Sequence, residues 1–200
     1  MAVLSENNLP EQVLLHSCCA PCSAAILEWL HNHNVSTTIF FYNPNIFPLK
    51  EYEIRKEEIK NYAKKLSIPF VEGDYDHHKW REAVAGLEKE PERGKRCEVC
   101  FTHRLLASAL CAKELGITHY TTTLAGSRWK RQEQIETAAE LVKQSVPEIE
   151  YWNQNWRKGG LQIRRGELLK ENGFYNQQYC GCEFSMVHLI KPMNRKEPQA

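Results

Sequence analysis

Seven of the eight cysteines in this 200-residue chain fall in three tight groups: Cys18-Cys19-Ala20-Pro21-Cys22, Cys97-Glu98-Val99-Cys100 and Cys180-Gly181-Cys182. Thiolate is a soft donor suited to zinc and to iron–sulfur clusters. A structural zinc takes four such ligands and would leave three reactive thiols over, and a dithiol redox pair uses only two. Seven converging thiols therefore point to a cysteine-built metallocofactor, with an iron–sulfur centre as the main reading and a zinc with leftover thiols as the plainer one. Cys111 stands apart. It lies eleven residues beyond Cys100, about 16 Å along a helix axis at 1.5 Å per residue, so it reads as a core cysteine.

Bulk properties narrow the partners. With 26 basic and 25 acidic residues the net charge is +1, so any site for a polyanion must come from a local patch. No run approaches the roughly 18 apolar residues of a membrane span. The first ten residues carry Glu6 and lack the basic start and apolar core of a signal peptide. A cytoplasmic protein is expected. Thiols stay reduced in that compartment, which favours metal or redox chemistry over a disulfide scaffold.

The elements that must position the cysteines alternate between strand and helix. Gln12 to His16 reads as a buried strand, and Pro21 opens a helix through Leu30. Val35 to Tyr42 is β-branched and aromatic, and Asn43-Pro44-Asn45 breaks it. Lys50 to Leu66 predicts an amphipathic helix, Ile68 to Val71 a strand, and a further helix begins near His77. Cys97 to Leu115 predicts a helix stopped by Gly116. His119 to Thr123 predicts a strand, Gln132 to Gln144 a helix, Glu148 to Trp152 a strand and Leu161 to Glu171 the last long helix. This alternation predicts one α/β domain of three layers with a mostly parallel, Rossmann/HUP-like sheet over residues 12–186. Residues 1–11 read as an N-terminal extension and 187–200 as a disordered tail.

In such sheets ligands bind beyond the carboxyl ends of the strands. The first cysteine group occupies such a loop and enters a helix. Cys97 and Cys100 also open a helix, where the partial positive charge favours thiolate. Cys180 and Cys182 would point apart in extended chain. A turn at Gly181 makes them converge, or each serves a different metal.

Several segments resemble the cobalamin-independent epoxyqueuosine reductases, the QueH family. They are Leu15-His-Ser-Cys-Cys-Ala-Pro-Cys22, Phe41-Tyr-Asn-Pro-Asn45, Glu51-Tyr-x-x-Arg55, Arg96-Cys-x-x-Cys100, Arg104-Leu105, Ser127-Arg-Trp-Lys130, Asn155-Trp-Arg-Lys-Gly-Gly160 and Tyr175-x-Gln-x-Tyr-Cys-Gly-Cys-x-Phe-Ser185. The resemblance runs from about residue 12 to 186. It implies reduction of the epoxide of epoxyqueuosine in the anticodon stem-loop of tRNA, giving queuosine, by a 4Fe-4S cluster beside a second, mononuclear iron. It also implies an external electron donor. Some relatives carry Asp where this chain has Cys22.

Removing an epoxide oxygen needs two electrons, protons and a group to polarise a C–O bond. A second metal with an open position can polarise that bond. A provisional division assigns Cys19, Cys97, Cys100 and Cys182 to the cluster and Cys18, Cys22 and Cys180 to the second iron. His16, Tyr42, Tyr52 and Tyr179 are the candidate proton donors, with His16 equally readable as a hydrogen-bonded core histidine. Asn43 and Asn45 touch substrate or serve the turn, and Arg55 and Arg104 hold loops or touch phosphate. Two segments could meet RNA: Arg128, Trp129, Lys130 and Arg131 after a Gly-Ser turn, and Trp156, Arg157 and Lys158 in an aromatic and amide-rich stretch. Unstacked bases of an anticodon loop stack on such rings and guanidinium groups.

Two rivals have weaker support. An ATP-using tRNA sulfur-transfer enzyme needs a Gly-rich phosphate loop after the first strand, and this chain has no glycine before Gly73. A zinc-binding RNA-interaction protein without redox activity would need no iron.

Overall fold

A computed structural model describes residues 9–186. The expected tail, and most of the expected N-terminal extension, lie outside the described residues. A parallel five-stranded sheet runs β1 (Gln12–His16), β2 (Ser36–Phe41), β3 (Phe70–Glu72), β4 (His119–Thr122) and β5 (Glu150–Tyr151), in the spatial order β3-β2-β1-β4-β5. The central strand explains itself. Val13, Leu14 and Leu15 are all buried, so β1 is apolar on both faces, as a strand covered by helices on each side must be.

The helices are α1 (Ala20–Asn32), α2 (Leu49–Lys65), α3 (His77–Ala83), α4 (Lys95–Glu114), α5 (Gln132–Ser145) and α6 (Leu161–Glu171). Helix α1 packs on α2 and α6, whereas α4 packs on α3 and α5. The three-layer α/β arrangement expected from the alternation is present. Gly116 takes the left-handed conformation (φ +69°) just past α4, which a Cβ would disfavour. Several bounds differ from the sequence expectation by one or two residues. Helix α4 begins at Lys95, because Gly94 ahead of it has the extended backbone of an N-cap, and β5 shrinks to two residues at the sheet edge. Cys111 lies in the core. Among the described residues no helix is long and apolar enough to cross a membrane.

The chain winds outward from β1 to β3, then crosses back to place β4 on the other side of β1. That reversal opens a crevice between the carboxyl ends of β1 and β4, the place where parallel α/β sheets receive ligands.

A thiol-lined cavity at the switch point

The loop leaving β1 carries Cys18 and Cys19, and Cys22 follows on the first turn of α1. Cys19 is the N-cap, with extended backbone, and Pro21 fits the first turn because its missing N–H has no helical partner there. The three sulfurs lie within 4.8 Å of one another, and Cys18 and Cys19 are 3.7 Å apart. Sulfurs bound to one metal at about 2.3 Å stand at about that separation in a tetrahedron, so the trio fits a metal.

Hydrogen bonds from Cys19 and Cys22 hold the Cys18 thiol well below its usual range, and Thr123 and Lys130 act in the same direction. Thr123 Oγ1 accepts from the Cys18 backbone N–H (3.1 Å) and donates to its sulfur (3.3 Å), so the turn after β4 grips the turn after β1. Burial pushes Cys19 up, and the bond with Cys18 is the main cause lifting Cys22 to about 12. One thiolate with two thiol donors is the arrangement that proton sharing among three close sulfurs favours.

Cys97, Cys100, Cys180 and Cys182 interact electrostatically with one another. Burial raises Cys97 to about 11 and Cys182 to about 12, and the charge of Cys180, followed by that of Cys100, adds to both. Cys100 and Cys182 belong to one small apolar cluster with Trp80, Val84 and Phe184. Cys97 and Cys100 are one helical turn apart at the start of α4 and share a face. Cys180 and Cys182 flank a turn at Gly181 (φ +124°), where a Cβ would come within 3.1 Å of Ile46 and 3.2 Å of Arg55.

The trio brings Cys19 together with Cys18 and Cys22, which the provisional division by sequence kept apart, whereas Cys180 lines the same cavity as Cys18 and Cys22, as that division had it. The reason is local: Cys18, Cys19 and Cys22 share one tight turn at the start of α1. Lys130 reaches both Cys180 and Cys18. Its Nζ donates to Cys180 Sγ at 3.2 Å, and its charge also reaches Cys18. Burial alone would lower its pKa, but the two sulfurs more than reverse this and hold the ammonium protonated.

Arg55 holds the last cysteine segment in place. It is fully buried, pairs with Glu51 one helical turn earlier on α2, and donates to the carbonyl oxygens of Tyr179 (3.2 Å) and Cys180 (3.3 Å). Replacing Arg55 with Met should therefore strand both carbonyls and leave the Glu51 carboxylate with only the Tyr175 hydroxyl as partner. We expect a loss of about 3–5 kcal/mol in urea unfolding, the range for breaking a buried pair, together with lower metal content. Full stability in the variant would contradict this role.

The cavity above the thiols has a volume of about 560 Å³. Its walls bring Cys18, Cys22 and Cys180 together with Arg55, Arg104, Arg128, Lys130 and Arg165, against Glu92 as the one carboxylate among the described lining residues. A nearly neutral chain thus concentrates its positive charge around the thiols.

The remaining sequence candidates are distributed as follows. His16 is buried beneath the trio, with Nε2 donating to the Tyr42 carbonyl (3.1 Å) and Nδ1 accepting from Thr122 Oγ1 (2.8 Å). Burial, then the Arg104 charge, drive it down to about 3, so it is neutral. Tyr42 turns its hydroxyl to His103 (2.9 Å) and faces a separate shallow groove. Tyr52 is packed between Phe41 and Tyr75. Tyr179 does line the cavity and donates to the Phe47 carbonyl. Asn43 bridges the Ser17 carbonyl and Arg104. Arg128 and Trp129 are exposed at the rim, stacked on each other, and Arg131 is exposed at the start of α5. Arg157 donates to the Lys130 carbonyl and Lys158 is exposed. Trp156 corrects the expectation of a stacking platform: it is 1% exposed and its indole N–H donates to Thr121, so it is a wall of the cavity.

Sequence reasoning passed over two residues. Gln177 donates to Cys19 Sγ (2.9 Å) and Cys22 Sγ (3.6 Å), while its buried Oε1 has no partner. It stands inside the Tyr175-x-Gln-x-Tyr motif, which was the available signal. Arg165 lines the cavity from α6, on the same helical stripe as the buried Leu161 and Leu168. A charge on an inward stripe was its signal.

Fold and site together define a parallel α/β domain with a cysteine cluster at its switch point that could hold a metal, set in a cationic cavity. The chain belongs to the family described as epoxyqueuosine reductase QueH, whose family model matches residues 13–188. It is 47% identical to the epoxyqueuosine reductase QueH of Histophilus somni over 175 residues, covering 88% of this chain and 72% of that protein. It is 47% identical over 176 residues to that of Acinetobacter baylyi (88% and 81%) and 36% identical over 178 residues to that of Thermotoga maritima (88% and 90%). The fold is also similar to a solved structure, a predicted subunit of tRNA methyltransferase from Methanocaldococcus jannaschii. The TM-score is 0.55 at 14% identity, over 85% of this chain and 94% of that one.

Proposed function

We propose that this protein is a cytoplasmic epoxyqueuosine reductase acting on tRNA through an iron–sulfur cluster and a mononuclear iron. The observation that carries the reading is the gathering of three sulfurs within 4.8 Å at the floor of a cationic cavity that Cys180 also lines. The quartet of Cys97, Cys100, Cys180 and Cys182 would saturate a 4Fe-4S cluster, which takes four thiolates. The trio of Cys18, Cys19 and Cys22 would hold the second iron and leave a position open. The pair of centres would supply electrons one at a time and a Lewis acid for the epoxide oxygen.

Around that chemistry the residues have separate tasks. The net reaction takes one epoxide, two electrons and two protons to an alkene and water, with the electrons from an external donor. Lys130 holds a positive charge beside Cys180 and Cys18, where negative charge would gather on the leaving oxygen. Tyr179 and Gln177 line the cavity and face the substrate. His16, with both ring nitrogens occupied, fixes β1 to β4 and the Tyr42 carbonyl, while Tyr42 and Tyr52 support the walls. Arg128 and Trp129 receive the RNA at the rim, with Arg131 and Lys158 as outlying positive charges.

Trp129, at 60% exposed, carries the clearest binding prediction. Its replacement by Ala should weaken binding of an anticodon stem-loop by about 1–3 kcal/mol, the cost of losing one base–aromatic stack, as read by fluorescence anisotropy. Unchanged affinity would remove it from the interface.

Anaerobic reconstitution tests the cofactor. Roughly five irons and four sulfides per chain, with a broad absorption band that bleaches on reduction, are expected. A colourless protein that takes up zinc and no iron would contradict the redox reading and favour the zinc-binding RNA protein.

A further inference from the structure

Arg164 and Arg165 are neighbours on α6 with opposite situations. Arg164 is spent on the surface, where its guanidinium pairs with Glu28 (2.7 Å), Glu167 (2.9 Å) and Glu171 (2.9 Å). Arg165 lines the cavity and, among the described residues, makes no hydrogen bond or ion pair. Other cations of that wall are committed. Arg55 serves Glu51 and two carbonyls, Arg104 serves Asn43, and Lys130 serves Cys180. Arg128 lies over the Trp129 ring. A half-buried guanidinium with all its donors unused beside a ligand cavity is poised for an anionic partner of planar, two-oxygen geometry.

The start of α6 is held firmly enough to aim it. Gly160 opens the helix in the left-handed region (φ +76°), Leu161 is buried, and Gln162 Nε2 donates to the Gly126 carbonyl (2.9 Å) on the turn that carries Arg128 and Trp129. One cavity is therefore lined by an aromatic ring for a base and by a guanidinium without a hydrogen-bond partner.

We propose that Arg165 binds a phosphodiester flanking the target nucleoside. It would thus be a specificity residue that makes the site accept the nucleoside within a polynucleotide chain in preference to the free nucleoside. This rests on the reading of the cavity as a tRNA site and assigns its phosphate contact. The rival role for the same charge is to offset the sulfurs, since it also reaches Cys22.

A chemical double-mutant cycle separates the two. Anticodon stem-loops carrying a neutral methylphosphonate at either phosphate flanking the target position are compared with the unmodified RNA on wild type and on Arg165→Gln. One of the two methylphosphonates should weaken wild-type binding about tenfold and leave the variant unaffected. The variant should also lower the salt slope of binding by about 0.7, the value for one single-stranded phosphate. Independent, multiplying effects of the substitution and of both modified RNAs, or an unchanged salt slope, would overturn the assignment. Binding is read without turnover, so failure of the reductase reading would appear separately, as no conversion of substrate with the cycle intact.

Discussion

Cys22→Ser and Cys100→Ser should fail in different ways. Loss of Cys22 removes one of three sulfurs that lie within 4.8 Å of one another, so the protein should keep its iron–sulfur colour, lose about one iron and lose at least about a thousandfold in turnover. Loss of Cys100 removes a thiolate from the quartet that shares its apolar cluster with Cys182. That variant should lose the visible band and most of its iron and sulfide, because a four-iron cluster is held by four such ligands. Parallel iron, sulfide and optical analysis of the two proteins distinguishes the outcomes. Identical losses in both would mean that the seven thiols do not divide into the trio and quartet.

The second large effect is expected at Lys130. Its ammonium stands 3.2 Å from Cys180 and acts electrostatically on Cys18, so one cation reaches both cysteine segments. Lys130→Met removes the charge while keeping a long side chain. Turnover should fall by about 10²–10³, as when a donor aimed at developing negative charge is removed, with iron content kept near wild type. Lys130→Arg should restore part of the rate. If the Met variant turned over normally, the charge would be dispensable and the epoxide oxygen would have to find its stabilisation elsewhere.

The sequence made the cysteine trio after the first strand readable because thiols at an element boundary are a strong local signal, and the alternation of strands and helices was enough for the parallel α/β class. What it concealed depends on contacts far apart in the chain. His16 could be read either way until Thr122 and the Tyr42 carbonyl were found on its two nitrogens. Trp156 looked like a stacking ring because it lies among basic residues, yet Thr121, 35 positions away, fixes it inside the wall. Spacing alone likewise does not say that Lys130 reaches both Cys180 and Cys18. Arg165 went unnoticed because its two leucine neighbours on α6 made the stripe look apolar.

The most direct test of the account is conversion itself. Protein reconstituted anaerobically with iron and sulfide would be incubated with tRNA carrying epoxyqueuosine and a chemical reductant, and the digested nucleosides weighed by mass spectrometry. The account predicts a product lighter than the substrate by one oxygen atom, formed by wild type and not by Cys22→Ser. Unchanged epoxyqueuosine after incubation with fully loaded, reduced wild-type protein would contradict it.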